Sequence, residues 1–259
     1  MNQALLAGFW GLVGGSALIV GAAVPFIVTL PQRLIAAVMA VGSGVLISAV
    51  AFDLMDEAYR RGGFAAAAAG FFGGALVYTV ANILVSRRGA RHRKRSGSNP
   101  DRAQPPASAD KAPGTNTGLA IAIGALLDGI PESVVIGTSL IGNGGVSAVV
   151  VAAVFLSNVP EGLASAAGMR GAGRSARYIF TVWFGIAIAS GLAALVGNVA
   201  LAGAAPALIA AVTAVAAGAI LAMLVDTMIP EATEATHDYS GLIAVVGFLA
   251  AFLLTKLGG

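Results

Sequence analysis

The chain contains eight apolar segments that are each long enough to cross a membrane, and this constrains its fold more than any other feature. An α-helix needs about 20 apolar residues to cross a hydrocarbon core of about 30 Å. Hydrophobic residues make up 58% of the chain and charged residues 10%, whereas soluble domains carry about 25% charged residues. We therefore predict an all-α membrane protein with eight transmembrane helices. The predicted spans are approximately 4–30, 34–57, 63–86, 118–140, 145–169, 178–203, 206–231 and 240–257.

One polar segment separates these spans into two groups. Residues 87–116 are rich in Pro, Ser and basic residues, a composition that cannot bury a core. The sequence thus predicts three helices in 1–86, a basic disordered loop over 87–117, and five helices in 118–259. Eight of the fifteen Lys and Arg residues lie between 87 and 111. Such a local cluster indicates membrane lipid as a partner, and no nucleic acid.

The basic residues also predict an orientation. Twelve of them flank the spans on the side of the 87–117 loop, and three lie on the opposite side. Because cytoplasmic loops carry the excess of Lys and Arg, we predict that the loop is cytoplasmic and that both termini lie outside a bacterial-type cytoplasmic membrane. The three residues on the opposite side are Arg60, Arg61 and Lys256.

Three carboxylates fall near the middle of predicted spans: Asp128, Glu132 and Glu161. A charge at the bilayer centre costs about 2.5–3.5 kcal/mol on insertion scales, so such residues face a protein interior or an aqueous cavity. The sequence places no Lys, Arg or His in a mid-membrane segment. Either protons or a metal ion must therefore compensate these charges. The structural alternative is a set of protonated carboxyls that hold helices together by hydrogen bonds.

The spacing of the polar residues favours a site. Asp128 and Glu132 are four positions apart, which places them one turn apart on the same helix face. Ser157 and Glu161 have the same spacing on the next span, with Asn158 beside them.

A proline precedes each of two glutamates, in "LLDGIPESVVIG" (126–137) and in "FLSNVPEGLASA" (155–166). Pro131 and Pro160 cannot donate the usual helical hydrogen bond, so each is predicted to kink its helix and to release a backbone carbonyl. Released carbonyls at membrane depth are tolerated where they line a cavity.

A second pairing relates the two ends of the chain. Residues 37–58 align without gaps on 211–232, with identities that include Gly44/Gly218 and Glu57/Glu231. The predicted topology makes the two segments run in opposite directions. Inverted repeats of this kind are typical of secondary transporters.

These features together resemble the ZIP (ZRT/IRT-like) family of divalent metal transporters. The family pattern His-Asn-x-Pro-Glu-Gly is matched in part by "DGIPES" on the fourth span and by "SNVPEG" on the fifth. The helix count, the external termini and the basic loop after the third helix also agree. The resemblance implies a bundle in which an inverted repeat of helices 1–3 and 6–8 surrounds helices 4 and 5, which carry the metal site.

The chain departs from the family pattern at its ligands. Asp128 and Ser157 stand where family members have histidine, and Ala194 stands where many bacterial relatives have a glutamate for a second metal. The resemblance therefore leaves a single site of oxygen ligands, which favours manganese, magnesium or ferrous iron over zinc. The implied ligands are Asp128, Glu132, Asn158, Glu161 and Ser157.

The other acidic residues predict a pathway. Asp53 and Glu57 close the second span and would form an external mouth that attracts cations. Asp226 and Glu231 close the seventh span and would receive the ion on the cytoplasmic side.

The predicted function is transport of a divalent cation of the zinc, manganese or iron class, with the ion as substrate and no prosthetic group. The chain has no hydrolase or nucleotide-binding motif, so no enzyme is predicted. Two alternatives remain: a proton-coupled carrier of a small organic solute, and a non-transporting membrane sensor or scaffold. A homodimer is compatible with the sequence.

Overall fold

The computed structural model describes residues 2–85, 87, 115–141, 147–171, 173–236 and 238–258. All of its regular elements are helices, and the described residues contain no strand. The α-helices are α1 (Gln3–Ile27), α2 (Gln32–Ala49), α3 (Met55–Val85), α4 (Thr115–Ser139), α5 (Ala148–Gly171), α6 (Ala176–Leu201), α7 (Pro206–Met223), α8 (Ile229–Thr236) and α9 (Ser240–Gly258). Two short π-helices, π1 (Val50–Leu54) and π2 (Leu224–Met228), follow α2 and α7.

The all-α prediction is confirmed, but the count of eight spans is not. The described residues contain six helical segments that are long and apolar enough to cross a membrane, which indicates an integral membrane protein. One of the six, Gln32–Val85, is 54 residues long and takes up the second and third predicted spans. Its helical geometry breaks at Gly63, where φ is 71° and ψ is 178°. The helix α4 is not among the six, and the side chains of its first nine residues (115–123) are not described.

The predicted basic loop (87–117) lies almost wholly outside the described residues. Both histidines of the chain, His92 and His237, also lie outside them.

The helix α5 lies in the interior of the bundle and α9 at its edge. In the most apolar 18-residue stretch of each helix, 72% of the residues are buried in α5, against 17% in α9. The exposed side chains of α9 are large and apolar, as Leu242, Leu249 and Leu253 show. A face of this kind suits contact with lipid, whereas α5 can carry polar side chains away from lipid.

Close contacts through glycine join α2 to α9. A Cβ placed on Gly44 would lie 1.8 Å from the carbonyl oxygen of Ala244, and one on Gly247 would lie 2.1 Å from that of Val41. Only glycine fits at such distances. Small residues at helix crossings are the usual means of close packing between membrane helices.

The crossing of α3 and α7 uses the aligned positions in the same way. A Cβ on Gly218 would lie 1.9 Å from the carbonyl oxygen of Phe71, and one on Gly74 would lie 1.9 Å from that of Val215. In the alignment of 37–58 with 211–232, Gly218 matches Gly44 and Val215 matches Val41. Gly44 and Gly218 therefore make equivalent contacts with their neighbouring helices, and so do Val41 and Val215.

The two π-helices also occupy matching positions. In the same alignment Val50–Leu54 falls on Leu224–Met228 without a shift. A π-helix inserts a wider turn into an α-helix, and such turns are frequent at functional sites. The aligned segments thus share a backbone irregularity that their amino-acid identities alone do not specify.

Candidate metal site

The two carboxylates of α4 lie inside the bundle. Asp128 and Glu132 are each 1% exposed, and their spacing of one turn places both on the same face of the helix. The neighbouring Ser133 is also buried, and its hydroxyl donates to the carbonyl of Gly129 at 2.6 Å. Asp128 and Glu132 therefore place two carboxylates on one buried face of α4.

On α5 the predicted ligands are buried as well. Ser157, Asn158 and Glu161 are 1%, 3% and 4% exposed. The side-chain amide of Asn158 donates from Nδ2 to the carbonyl of Gly14 at 3.0 Å. This bond fixes the orientation of the amide, and Oδ1 has no hydrogen-bond partner among the described residues. A buried amide oxygen without a donor is a position at which a bound cation would relieve the cost of burial.

The hydroxyl of Ser157 donates to the carbonyl of Val154 at 2.9 Å. A hydroxyl oxygen that donates its proton still carries lone pairs, so Ser157 retains the chemistry that a ligand needs.

Contacts with α1 show how α4 and α5 are aligned. A Cβ on Gly14 would lie 3.0 Å from Cδ1 of Ile136 on α4 and 3.3 Å from Cγ1 of Val154 on α5. Further along the bundle, Ala125 of α4 and Ala166 of α5 belong to one buried apolar cluster. The two helices therefore run antiparallel, and the residues between these two sets of contacts lie at matching heights along α4 and α5.

Four of the candidate ligands lie between the level of Ile136 and Val154 and the level of Ala125 and Ala166. These four are Asp128, Glu132, Asn158 and Glu161. Glu132 is one turn from the first of these levels on α4, and Asn158 is one turn from it on α5, so the two are at the same height. Asp128 and Glu161 occupy the next turn of each helix. The predicted ligands thus fall into two adjacent tiers, with one carboxylate from α4 in each.

The carboxylates alone do not make a complete site. In the described part of the chain, no group of three or more His, Cys, Asp or Glu side chains is arranged to hold a metal ion. A cation between α4 and α5 would therefore draw on the amide oxygen of Asn158 and the hydroxyl of Ser157 in addition to carboxylates.

The prolines lie inside helices that continue past them. Pro131 is within α4 and Pro160 within α5. The ring of Pro160 packs on α2, where a Cβ on Gly42 would lie 3.0 Å from its Cγ. The predicted kinks stay predictions, while the contact with Gly42 shows that Pro160 also serves packing.

Tyr78 is a residue of this region that the sequence reasoning missed. Its hydroxyl on α3 donates to Oδ1 of Asp128 on α4 at 2.8 Å, and its side chain is 2% exposed. A tyrosine in the middle of an apolar segment needs a partner for its hydroxyl. That requirement was the signal in the sequence that could have identified it.

A cavity of about 430 Å³, here called the vestibule, opens beside Asp53, Asp56 and Glu57. On α4 it is lined by Val135 and Thr138, three and six residues past Glu132. Ile136 and Val154, which lie one turn from Glu132 and Asn158 respectively, are 1% and 6% exposed.

The vestibule carboxylates have nearby partners. Arg60 pairs with Asp56 at 2.8 Å, and Arg61 pairs with Glu57 at 2.5 Å. Asp53 accepts a hydrogen bond from Thr255 at 3.2 Å. Arg61 also donates to the carbonyl of Ile141 at 3.1 Å, which connects α3 to the residues after α4.

The acidic residues at the end of the seventh predicted span differ from one another. Asp226 on π2 is exposed, whereas Glu231 on α8 is 5% exposed. Met228, one turn before Glu231, approaches the same point on Gly42 as Pro160, with its Cε 3.4 Å away. Of the two residues, Glu231 is therefore the buried one.

Ala194, which stands where the resemblance would have a second-metal glutamate, is fully buried on α6. A Cβ on Gly11 would lie 2.6 Å from its Cβ, and one on Gly137 would lie 2.2 Å from its carbonyl oxygen. The helices α1 and α4 thus close tightly around this position.

Comparison with models of known protein families finds no match, and comparison with curated proteins finds none.

Proposed function

We propose that the protein transports a divalent cation across the membrane through a site between α4 and α5, as the resemblance to ZIP transporters implies. The observation that carries the proposal is the buried, in-register arrangement of oxygen donors on these two helices. Asp128, Glu132, Asn158 and Glu161 are each at most 4% exposed, and Oδ1 of Asn158 is buried without a hydrogen-bond partner among the described residues.

The energetics of burial support a cation as the occupant. Removing a carboxylate from water without compensation is costly enough that the group binds a proton, a cation or a metal ion instead. The described residues include no buried Lys, Arg or His. A divalent ion would compensate two carboxylates at once and would also satisfy the oxygen of Asn158.

The donor set supports a hard ion. Carboxylate, amide and hydroxyl oxygens suit manganese, magnesium or ferrous iron, whereas zinc and copper gain more from imidazole and thiolate. The tight packing around Ala194 leaves a single site as the simplest stoichiometry.

The proposed architecture has eight transmembrane helices. Gly63 interrupts the 54-residue segment Gln32–Val85, whose helical length of about 80 Å would be far more than one crossing needs. We place one span on each side of this break and one on α4. The matching glycine contacts and π-helices relate α2 and α9 to α7 and α3, which supports the inverted repeat of transmembrane helices 1–3 with 6–8. We place the loop after α3 in the cytoplasm.

Uptake into proteoliposomes tests the proposal. The purified protein is reconstituted and exposed to manganese, iron, magnesium, zinc and calcium at two pH values. The parent is expected to accumulate a hard divalent ion, and to do so faster at the higher pH because protons compete with metal for carboxylates.

The key variant is Glu161→Gln, which keeps the size of the side chain and deletes its charge. Uptake is expected to fall at least about 100-fold, because a divalent ion loses a charged ligand in a region of low dielectric. The matched control is Asp238→Asn, an exposed carboxylate in the turn before α9. Uptake by folded Glu161→Gln protein at the parent's rate would exclude this site, and a parent impermeable to every ion would favour a sensor or scaffold.

A further inference from the structure

Tyr78 is buried far more deeply than the chain's exposed tyrosines. Its side chain is 2% exposed and packs in the main apolar core, whereas Tyr59 and Tyr239 are 57% and 67% exposed. Burying a phenol hydroxyl requires a hydrogen-bond partner, and the structure supplies a ligand of the proposed site, Asp128, at 2.8 Å.

This hydrogen bond constrains the Asp128 carboxylate. The phenol donates to Oδ1 from α3, while the carboxylate itself extends from α4. The length of 2.8 Å is typical of a hydroxyl donor, and the bond links the carboxylate of α4 to a second helix, α3. Turning both oxygens toward one ion would require this bond to be bent or released.

The number of carboxylate oxygens that an ion takes depends on its size. Calcium binds six to eight oxygens and often takes both from one carboxylate, whereas magnesium requires a compact octahedron. Manganese likewise suits an octahedral set of oxygens. A carboxylate held so that it offers one oxygen therefore suits the smaller ions.

We propose that Tyr78 is a positioning residue that presents Asp128 to the ion through one oxygen and thereby selects smaller divalent ions over calcium. This inference rests on the proposed transport function and adds a determinant of its selectivity. Tyr78 acts through Asp128 and is not itself a ligand.

The test is competition between calcium and manganese in proteoliposomes that contain the parent, Tyr78→Phe or Thr79→Val. Tyr78→Phe keeps the ring and removes the hydroxyl. Thr79→Val removes a hydroxyl from the adjacent position of α3 and serves as the control.

In the parent, calcium is expected to inhibit manganese uptake only at concentrations far above those of manganese. In Tyr78→Phe, the ratio of calcium to manganese concentration that is needed to inhibit manganese uptake is expected to fall about tenfold. A change of this size is consistent with loss of one hydrogen bond to a charged group. The KM for manganese should rise more than the maximal rate falls, since the ligand is present but less well oriented. Thr79→Val should keep the parent's ratio and KM.

The outcomes separate the two proposals. A parent that takes up no divalent ion refutes the transport function itself. A parent that transports manganese, with an unchanged calcium ratio in Tyr78→Phe, refutes the role of Tyr78 alone. Calcium that competes as well as manganese in the parent also refutes it, without recourse to any variant.

Discussion

Two groups of acidic residues in this protein differ in how their charge is compensated. The vestibule carboxylates (Asp53, Asp56 and Glu57) lie near the cationic side chains of Arg60, Arg61 and Lys256, which line the same cavity. The buried carboxylates (Asp128, Glu132 and Glu161) lie among helices whose described residues include no buried Lys, Arg or His. The same residue type therefore serves in one group as part of a balanced surface and in the other as a set of candidate ligands.

This difference changes the interpretation of the pathway. The sequence predicted that Asp53 and Glu57 attract cations to an external mouth. Three cationic side chains balance the three carboxylates of the vestibule, so its long-range attraction for cations is small. The spacing of four residues from Asp56 to Arg60 and from Glu57 to Arg61 makes these pairs local features of the α3 helix.

The largest expected difference between substitutions in the two groups is in the equilibrium binding of manganese to the purified protein. Glu132→Gln should weaken binding at least about 100-fold, because a buried charged ligand is lost. Glu57→Gln should change it by less than about fivefold, because the partly exposed ion pair with Arg61 contributes about 1 kcal/mol or less. Similar losses in both variants would show that the two groups do not differ in function.

A smaller effect is expected from changing the ligand type at the buried group. Asp128→His with Ser157→His introduces imidazole at the two positions where the resemblance has histidine. The ratio of zinc to manganese affinity should rise about tenfold, since nitrogen ligands favour zinc over harder ions. Isothermal titration with both ions measures the ratio, and an unchanged ratio would show that neither position contacts the ion.

The sequence predicted the helices well, for a physical reason. In lipid every backbone group must be bonded within its own segment, so long apolar stretches leave few alternatives to helix. Each of the eight predicted spans falls on a helix of the structure. The number of spans is harder to read, because α2, π1 and α3 form one helical segment with a break at Gly63.

The burial of the candidate ligands was predictable from the sequence, but their contacts were not. Charge at the middle of an apolar segment identified Asp128, Glu132 and Glu161 without a structure. The alignment of α4 with α5 depends on their contacts with Gly14, and no pattern of hydropathy encodes that register. The bond from Tyr78 to Asp128 joins positions 50 residues apart, and it too requires the packing of α3 against α4.

The π-helices illustrate a further limit of sequence reasoning. The alignment of 37–58 with 211–232 predicted a repeat, but nothing in it indicated wider turns at Val50–Leu54 and Leu224–Met228. A π-helix and an α-helix of the same sequence bury similar side chains, so hydropathy does not distinguish them.

The most direct test of the proposed metal site is the X-ray absorption spectrum of the protein loaded with manganese and, separately, with zinc. We expect about one bound ion per chain with a first shell of oxygen only, because the ligands offered by α4 and α5 are carboxylate, amide and hydroxyl groups. The same shell should be absent from Glu161→Gln prepared in parallel. An imidazole signature in the spectrum, or a parent that retains no metal, would contradict the proposed site.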